Sequence, residues 1–307
     1  MSKAKVLVIT SGKGGVGKTT STAALGAALA QAGQNVVVVD FDVGLRNLDL
    51  VLGVERRIVY DLTDVVQDIT KLPQSLISDR RIPTLSLLPA SQTRDKDTLT
   101  EEGVGRVISK LRETFDWVIC DSPAGIEHGA LCAMRFADAA VIVTNPQVSS
   151  IRDSTQIIDM LNSKTQKSEN GGRIEQHLLI TRYDEARAKR EEMLRIEDVL
   201  EFLPIPLLGI IPESKDVLRA SNVGSPVTLS NKRSTAARAY IAAANKLNSE
   251  RFGMNTQTKR SLMDRLFGRK AATRPSNATV TARPAHMNSG GNNLVPQMEN
   301  GLVVLKN

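Results

Sequence analysis

The stretch Ser11-Gly12-Lys13-Gly14-Gly15-Val16-Gly17-Lys18-Thr19-Thr20 constrains this chain more than any other. It follows the apolar run Val6-Leu7-Val8-Ile9 and precedes the Ala-rich segment KTTSTAALGAALAQ at 18–31. Gly12, four residues, then Gly17, Lys18 and Thr19 give the spacing at which backbone N–H groups wrap a polyphosphate, a lysine reaches the β/γ-phosphates and a hydroxyl meets Mg²⁺. A buried strand entering the loop and a helix leaving it complete the context, because a helix N-terminus favours an anion. Gly12 to Thr20 are therefore candidate nucleotide contacts, with Thr19 also directed at the metal. Lys13 adds a second ammonium that the basic motif does not require.

The rest of the chain supplies a frame for such a loop. Short apolar runs at Val6–Ile9, Val36–Val39, Leu85–Leu88, Trp117–Cys120, Ala139–Val143, Leu178–Ile180 and Leu207–Ile211 alternate with helix-period segments. Seven strands separated by helices predict an α/β fold, a doubly wound and mainly parallel sheet with helices on both faces. Runs such as Val36-Val37-Val38-Val39 do not alternate in polarity, as expected for strands covered on both sides. A helix capped by Asp97 or Thr98 is expected to end near Phe115, and another over 232–249 to close the domain.

In open sheets of this kind ligands bind beyond the carboxyl ends of the strands. The second run ends in Asp40-Phe41-Asp42, two carboxylates one residue apart that the strand period aims the same way. Beside a Mg-nucleotide, one can support the metal's water shell and the other can orient or deprotonate the attacking water. The fourth run ends in Asp121-Ser122-Pro123-Ala124-Gly125. Asp121 stands where a carboxylate holds the Mg²⁺ shell, and Gly125 where a backbone amide can approach the γ-phosphate.

The formal charge of +7 is unevenly placed. From Arg251 onward nine Lys and Arg face only Asp264 and Glu299, so the whole excess lies in the C-terminal segment and the preceding 250 residues balance. A neutral body offers no broad field for nucleic acid, whereas a basic tail suits an anionic lipid surface. Within that tail TKRSLMDRLFGRK, residues 258–270, groups Leu262, Met263, Leu266 and Phe267 on one helical arc with basic residues on its margins, the pattern of an interfacial anchor. No run reaches transmembrane length, and there is no signal peptide or CxxC pair. Cys120 and Cys132, the only cysteines, fall in a strand and a helical pattern and are expected to be buried, inert thiols of a reducing cytosol. Residues 271–307 are rich in Asn, Ser, Gly and Pro and read as disordered.

Lys13 to Thr19 resembles the KGGxGK[ST] signature of the deviant Walker A ATPases, and the likeness extends further. The segment DFDVGLRNLDLVLG, the Leu88–Asp97 and Thr144–Asp153 connections, Leu179-Ile180-Thr181-Arg182-Tyr183, Gly209-Ile210-Ile211-Pro212-Glu213 and the RLFG of Arg265 to Gly268 are similar to the MinD branch of the ParA-MinD superfamily. The resemblance covers residues 4 to about 268. It implies an ATPase using ATP and Mg²⁺, in which Lys13 crosses a dimer interface to the partner's nucleotide and Asp42 is the catalytic-water residue. Asp40 would then belong to the metal's surroundings, and Arg182, Pro212 and Glu213 would frame the adenine. It also implies a homodimer with ATP, a MinC-type division inhibitor and a MinE-type or equivalent activator as partners, and a cytoplasmic protein held peripherally on the inner face of the cell membrane.

Domain organisation follows as an ATPase domain over 1–250, a linker at 251–257, the membrane-targeting helix at 258–270 and an extension at 271–307 that the family does not match. Two departures stand out: Asp184 where the pattern usually has Asn, and Asp264 where a Lys is usual. Relatives of other function are a DNA-segregation ATPase, an iron–sulfur carrier and the flagellar-number ATPase. The neutral body disfavours the first, Cys120 within a strand the second, and the matches outside the phosphate loop the third.

Overall fold

The computed structural model describes residues 4–94 and 96–251. Eight strands form one sheet: β1 (Lys5–Thr10), β2 (Val36–Asp40), β3 (Ile77–Ser78), β4 (Leu85–Leu88), β5 (Trp117–Asp121), β6 (Ala139–Thr144), β7 (Glu175–Tyr183) and β8 (Leu207–Pro212). Their spatial order is β3-β4-β2-β5-β1-β6-β7-β8. Every pairing is parallel except that of β3 with β4. The seven expected strands are all present, and β3 is an addition: two residues held against Leu87 and Ser86, too short to carry a pattern.

The uniform valines of β2 divide between two cores. Val36 and Val38 join Leu7, Ile9 and Leu25 on one side of the sheet, while Val37 and Val39 join Val6, Val8 and Ile108 on the other. Burial on both faces is why the run shows no alternation. The first core is covered by the helices Lys18–Gln31 and Thr235–Arg251. Their contact includes a hydrogen bond between Ser21 Oγ and Tyr240 Oη at 3.0 Å.

Two helix boundaries differ from the expectation. Lys96–Thr98 forms a 3₁₀ turn, and the helix Glu101–Thr114 begins after Thr100, whose hydroxyl accepts from Gly103 N–H at 3.2 Å. Choosing among three nearby polar residues requires the backbone geometry, since any of them suits a cap. The closing helix runs Thr235–Arg251, with Ser234 Oγ accepting from Ala237 N–H at 3.0 Å at its head, and so reaches one residue into the stretch read as linker. The expected membrane helix 258–270, its residues Leu262, Met263, Leu266 and Phe267, and the extension 271–307 lie outside the described residues.

β1 lies between β5 and β6, where the chain, having built one side of the sheet, crosses to build the other. Asp40 pairs with Asp121 in register, and Asp121 with Ile9, so the polar ends of β2 and β5 arrive together beside the loop that leaves β1.

Candidate nucleotide site

The loop after β1 is shaped by what it lacks. A Cβ on Gly12 would stand 2.4 Å from the backbone of Asp153, so only glycine lets the loop lie against the helix Val148–Lys164. Gly17 has φ 98°, left-handed backbone that side chains resist. It precedes a helix with no side-chain cap and no acidic residue in its first turn, which leaves the terminal amides open to an external anion. Thr181 Oγ1 donates to the Val16 carbonyl at 2.6 Å, tying the loop to β7, and Gly125 N–H donates to the Ser11 carbonyl at 3.1 Å.

Lys18 is buried, with its ammonium donating to Ser11 Oγ at 2.9 Å. Burial pulls its pKa down, opposed by the carboxylates of Asp121 and Asp42. Asp121 is 1% exposed and accepts from Thr22 Oγ1 at 2.9 Å. Burial pushes its pKa up to about 6, against hydrogen bonds from Thr19 and Thr22 and the charge of Lys18. Asp40, equally buried, accepts from Asp42 N–H at 2.9 Å through Oδ1 and from Leu48 N–H at 3.3 Å through Oδ2. Its pKa also rises, through burial and then the neighbouring Asp121.

Asp40 and Asp42 were expected to point alike, and they do different things. Asp40 turns onto the following loop and fastens it by two amides. Asp42 is half-buried and acts electrostatically on Lys18, Asp40 and Asp121 together, which places it among them. Two buried carboxylates with raised pKa values beside a lysine and a hydroxyl form a donor set of hard oxygens that Mg²⁺ fits, since a divalent cation would relieve the cost of holding them charged. Thr19, Asp40 and Asp121 could hold the metal or its water shell.

Lys13 donates to Ser149 Oγ at 2.9 Å and to Gln147 Oε1 at 3.4 Å, both in its own chain and exposed to solvent. Arg182, Pro212 and Glu213 come together with Val16, Gly17 and Thr20 around a cavity of about 370 Å³ next to the loop, within the size range of small-molecule sites. Asp184 caps the helix Glu185–Lys189, accepting from Ala186 and Arg187 N–H at 2.9 and 3.1 Å. No role at the site was read from the sequence for Thr22, Thr181 or Ser11. Only Thr22 carried a signal, three residues after Thr19 and therefore on the same helix face. Burial raises the Cys120 thiol to about 12 and the Cys132 thiol to about 11, so both are protonated and poor metal ligands.

Residues 7–227 match the family model for the CobQ/CobB/MinD/ParA nucleotide binding domain. The chain is 53% identical to the septum site-determining protein MinD of Escherichia coli K12 over 269 residues, 86% of this chain and 99% of that protein. The chain belongs to the MinD family. Among solved structures, a MinC:MinD cell division protein complex of Aquifex aeolicus is similar at 40% identity and TM-score 0.70, covering 80% of this chain and 96% of that one. The septum site-determining MinD of Pyrococcus horikoshii complexed with Mg-ADP is similar at 29% identity and TM-score 0.72, covering 82% of this chain and 99% of that one. The chain is thus a septum site-determining ATPase of the ParA/MinD type.

Proposed function

We infer that this member is a Mg-ATP-dependent ATPase that dimerises with ATP, binds the membrane reversibly through residues 258–270 and positions the division septum by recruiting a MinC-type inhibitor. The observation that carries the reading is the second loop lysine, Lys13, set beside an exposed apolar rim. Leu45 and Ile126, on the loops that follow β2 and β5, and Val148, which opens the helix after β6, are each more than half exposed and lie at the same carboxyl end of the sheet as the phosphate loop. Exposed large apolar residues around a charged site suit a surface that a second copy covers.

Within one subunit Lys18 would neutralise the β- and γ-phosphates, and the open amides of the helix Lys18–Gln31 would cradle them. Thr19 and Asp121 would hold Mg²⁺ or its water shell, and the ion would supply charge neutralisation for the polyphosphate. Asp42 would orient the attacking water, a duty felt in the transition state and not in binding. The cavity at Arg182, Pro212 and Glu213 would take the adenine.

Dimerisation would convert nucleotide state into location. Four apolar side chains give about 1.5–3 kcal/mol each when fully buried, and ordering a short helix offsets much of this, so one anchor binds marginally. Two linked anchors raise avidity by about 10²–10⁴. The Mg-ADP in the Pyrococcus relative and the MinC partner of the Aquifex relative support the cofactor and the inhibitor. A MinE-type activator and anionic lipids complete the proposed cycle, in the cytoplasm and on the inner face of the cell membrane. No nucleic acid is expected. Light scattering of the purified protein with Mg-ATP and with Mg-ADP tests the reading: a dimer with ATP and a monomer with ADP is expected, and a monomer in both contradicts it.

A further inference from the structure

We propose that Arg81 is a positioning residue that couples the candidate adenine cavity to the loop carrying Asp42; this rests on the nucleotide reading above. Arg81 lies in the turn between β3 and β4. Its Nη2 donates to the Leu52 carbonyl at 2.7 Å and its Nη1 to the Gly224 carbonyl at 3.0 Å. Asp79, which is buried, fixes the guanidinium through Nε at 3.0 Å and Nη2 at 2.6 Å.

One carbonyl ends a helix and the other lies in the turn just beyond one. Leu52 closes the helix Leu48–Leu52, and Gly224 follows the helix Lys215–Asn222. Terminal carbonyls have no partner inside their helix, and the rigid fork of a guanidinium can satisfy two at once. The two ends also approach closely: a Cβ on Gly53 would stand 2.4 Å from the Gly224 carbonyl oxygen, a space that only glycine leaves open.

Each helix leads to one half of the site. The helix Leu48–Leu52 is tied at its start to Asp40, which receives the N–H of Leu48 at 3.3 Å and that of Asp42 at 2.9 Å. The helix Lys215–Asn222 contributes Lys215, Val217, Leu218 and Ser221 to the cavity beside Arg182 and Glu213. The route from base to Asp42 is therefore a helix, the Arg81 clamp, a second helix and Asp40. The Arg81 side chain is 41% exposed and belongs to neither apolar core, although its loss removes the ion-pair partner of the buried Asp79.

Amide hydrogen exchange on the full-length protein, with and without Mg-ADP, tests this in wild type, Arg81→Ala and Arg81→Lys. In wild type, ADP is expected to slow exchange in 12–20, 215–224 and 48–53. In Arg81→Ala the first two remain protected by ADP, the protection of 48–53 is lost, and ATP turnover falls about tenfold, within the usual span of coupling effects. Arg81→Lys keeps the charge without the fork and is expected to behave like Arg81→Ala. An ADP effect on 48–53 that survives Arg81→Ala, or that wild type never shows, overturns the coupling. So does full rescue by Arg81→Lys. Absence of ADP protection at 12–20 in wild type refutes nucleotide binding itself, a separate outcome.

Discussion

The Lys13 ammonium and the Ser149 hydroxyl of the same chain lie 2.9 Å apart, at the exposed edge where the phosphate loop meets the helix Val148–Lys164. Ser149 and Gln147 are neutral acceptors in solvent, and an ionised phosphate oxygen makes a stronger, charge-assisted bond to an ammonium than either can. A phosphate offered by a second subunit would compete easily for this lysine. Lys13→Ala is therefore expected to keep nucleotide affinity within a few-fold and to lose the ATP dimer. Lys18→Ala, which removes the buried ammonium, should weaken ATP binding by about 10–100-fold, the worth of a hydrogen bond to a charged group. Equilibrium nucleotide binding with analytical ultracentrifugation separates the two; a Lys13→Ala protein that still dimerises removes the role across the interface.

Asp42 is half-buried and acts electrostatically on Lys18, Asp40 and Asp121. Asp42→Ala is expected to bind ATP and dimerise while single-turnover hydrolysis slows by about 10²-fold or more, the scale of a lost general base or water-positioning group. Rapid-quench measurement of phosphate release decides, and a wild-type rate would reduce Asp42 to a structural carboxylate.

His177 is a buried imidazole of β7 facing the closing helix, with Glu250 Oε2 3.6 Å from its Nε2. Burial lowers its pKa below 6.5, opposed by Glu250 and Glu175 and assisted by Lys5 and Lys246. The unfolded chain then binds the proton more readily than the folded one. The folded state is therefore fully favoured above about pH 6.5, and stability is lost as pH falls below that value and through the lower folded pKa. Chemical denaturation at pH 7.5 and 5.5 should show a loss of stability on acidification that His177→Leu reduces. Equal losses in both proteins would show that His177 is not the group titrating.

The proposed anchor at 258–270 and the extension at 271–307 can be told apart by where membrane affinity resides. Phe267→Glu puts a charge into the apolar arc and is expected to abolish vesicle binding, while truncation after Lys270 leaves it nearly intact. ATP hydrolysis without membrane should survive both changes. Flotation with anionic vesicles reads the difference, and binding kept by Phe267→Glu but lost on truncation would move the anchor into 271–307.

Much of the fold was legible because strand burial on both faces leaves a simple trace: unbroken apolar runs such as Val36–Val39 and Trp117–Cys120, each ending in a polar residue. The phosphate loop was legible for a related reason, since Gly12 and Gly17 are dictated by a close approach and a left-handed backbone that no side chain relaxes. What escaped depends on distant pairing. β3 exists only through two residues of β4, the cap at Thr100 is chosen by backbone geometry among equal candidates, and Arg81 acts on carbonyls 29 and 143 positions away. The different duties of Asp40 and Asp42 also needed three dimensions, because identical side chains two residues apart are told apart by their burial and by the groups around them.

Cosedimentation of the full-length protein with anionic vesicles, in Mg-ATP and in Mg-ADP, tests the central claim that nucleotide state sets location. With ATP the protein should pellet with vesicles, with ADP it should stay in the supernatant, and Lys13→Ala should stay there in both. Binding that is equal in ATP and ADP, or pelleting with duplex DNA in place of vesicles, would contradict it.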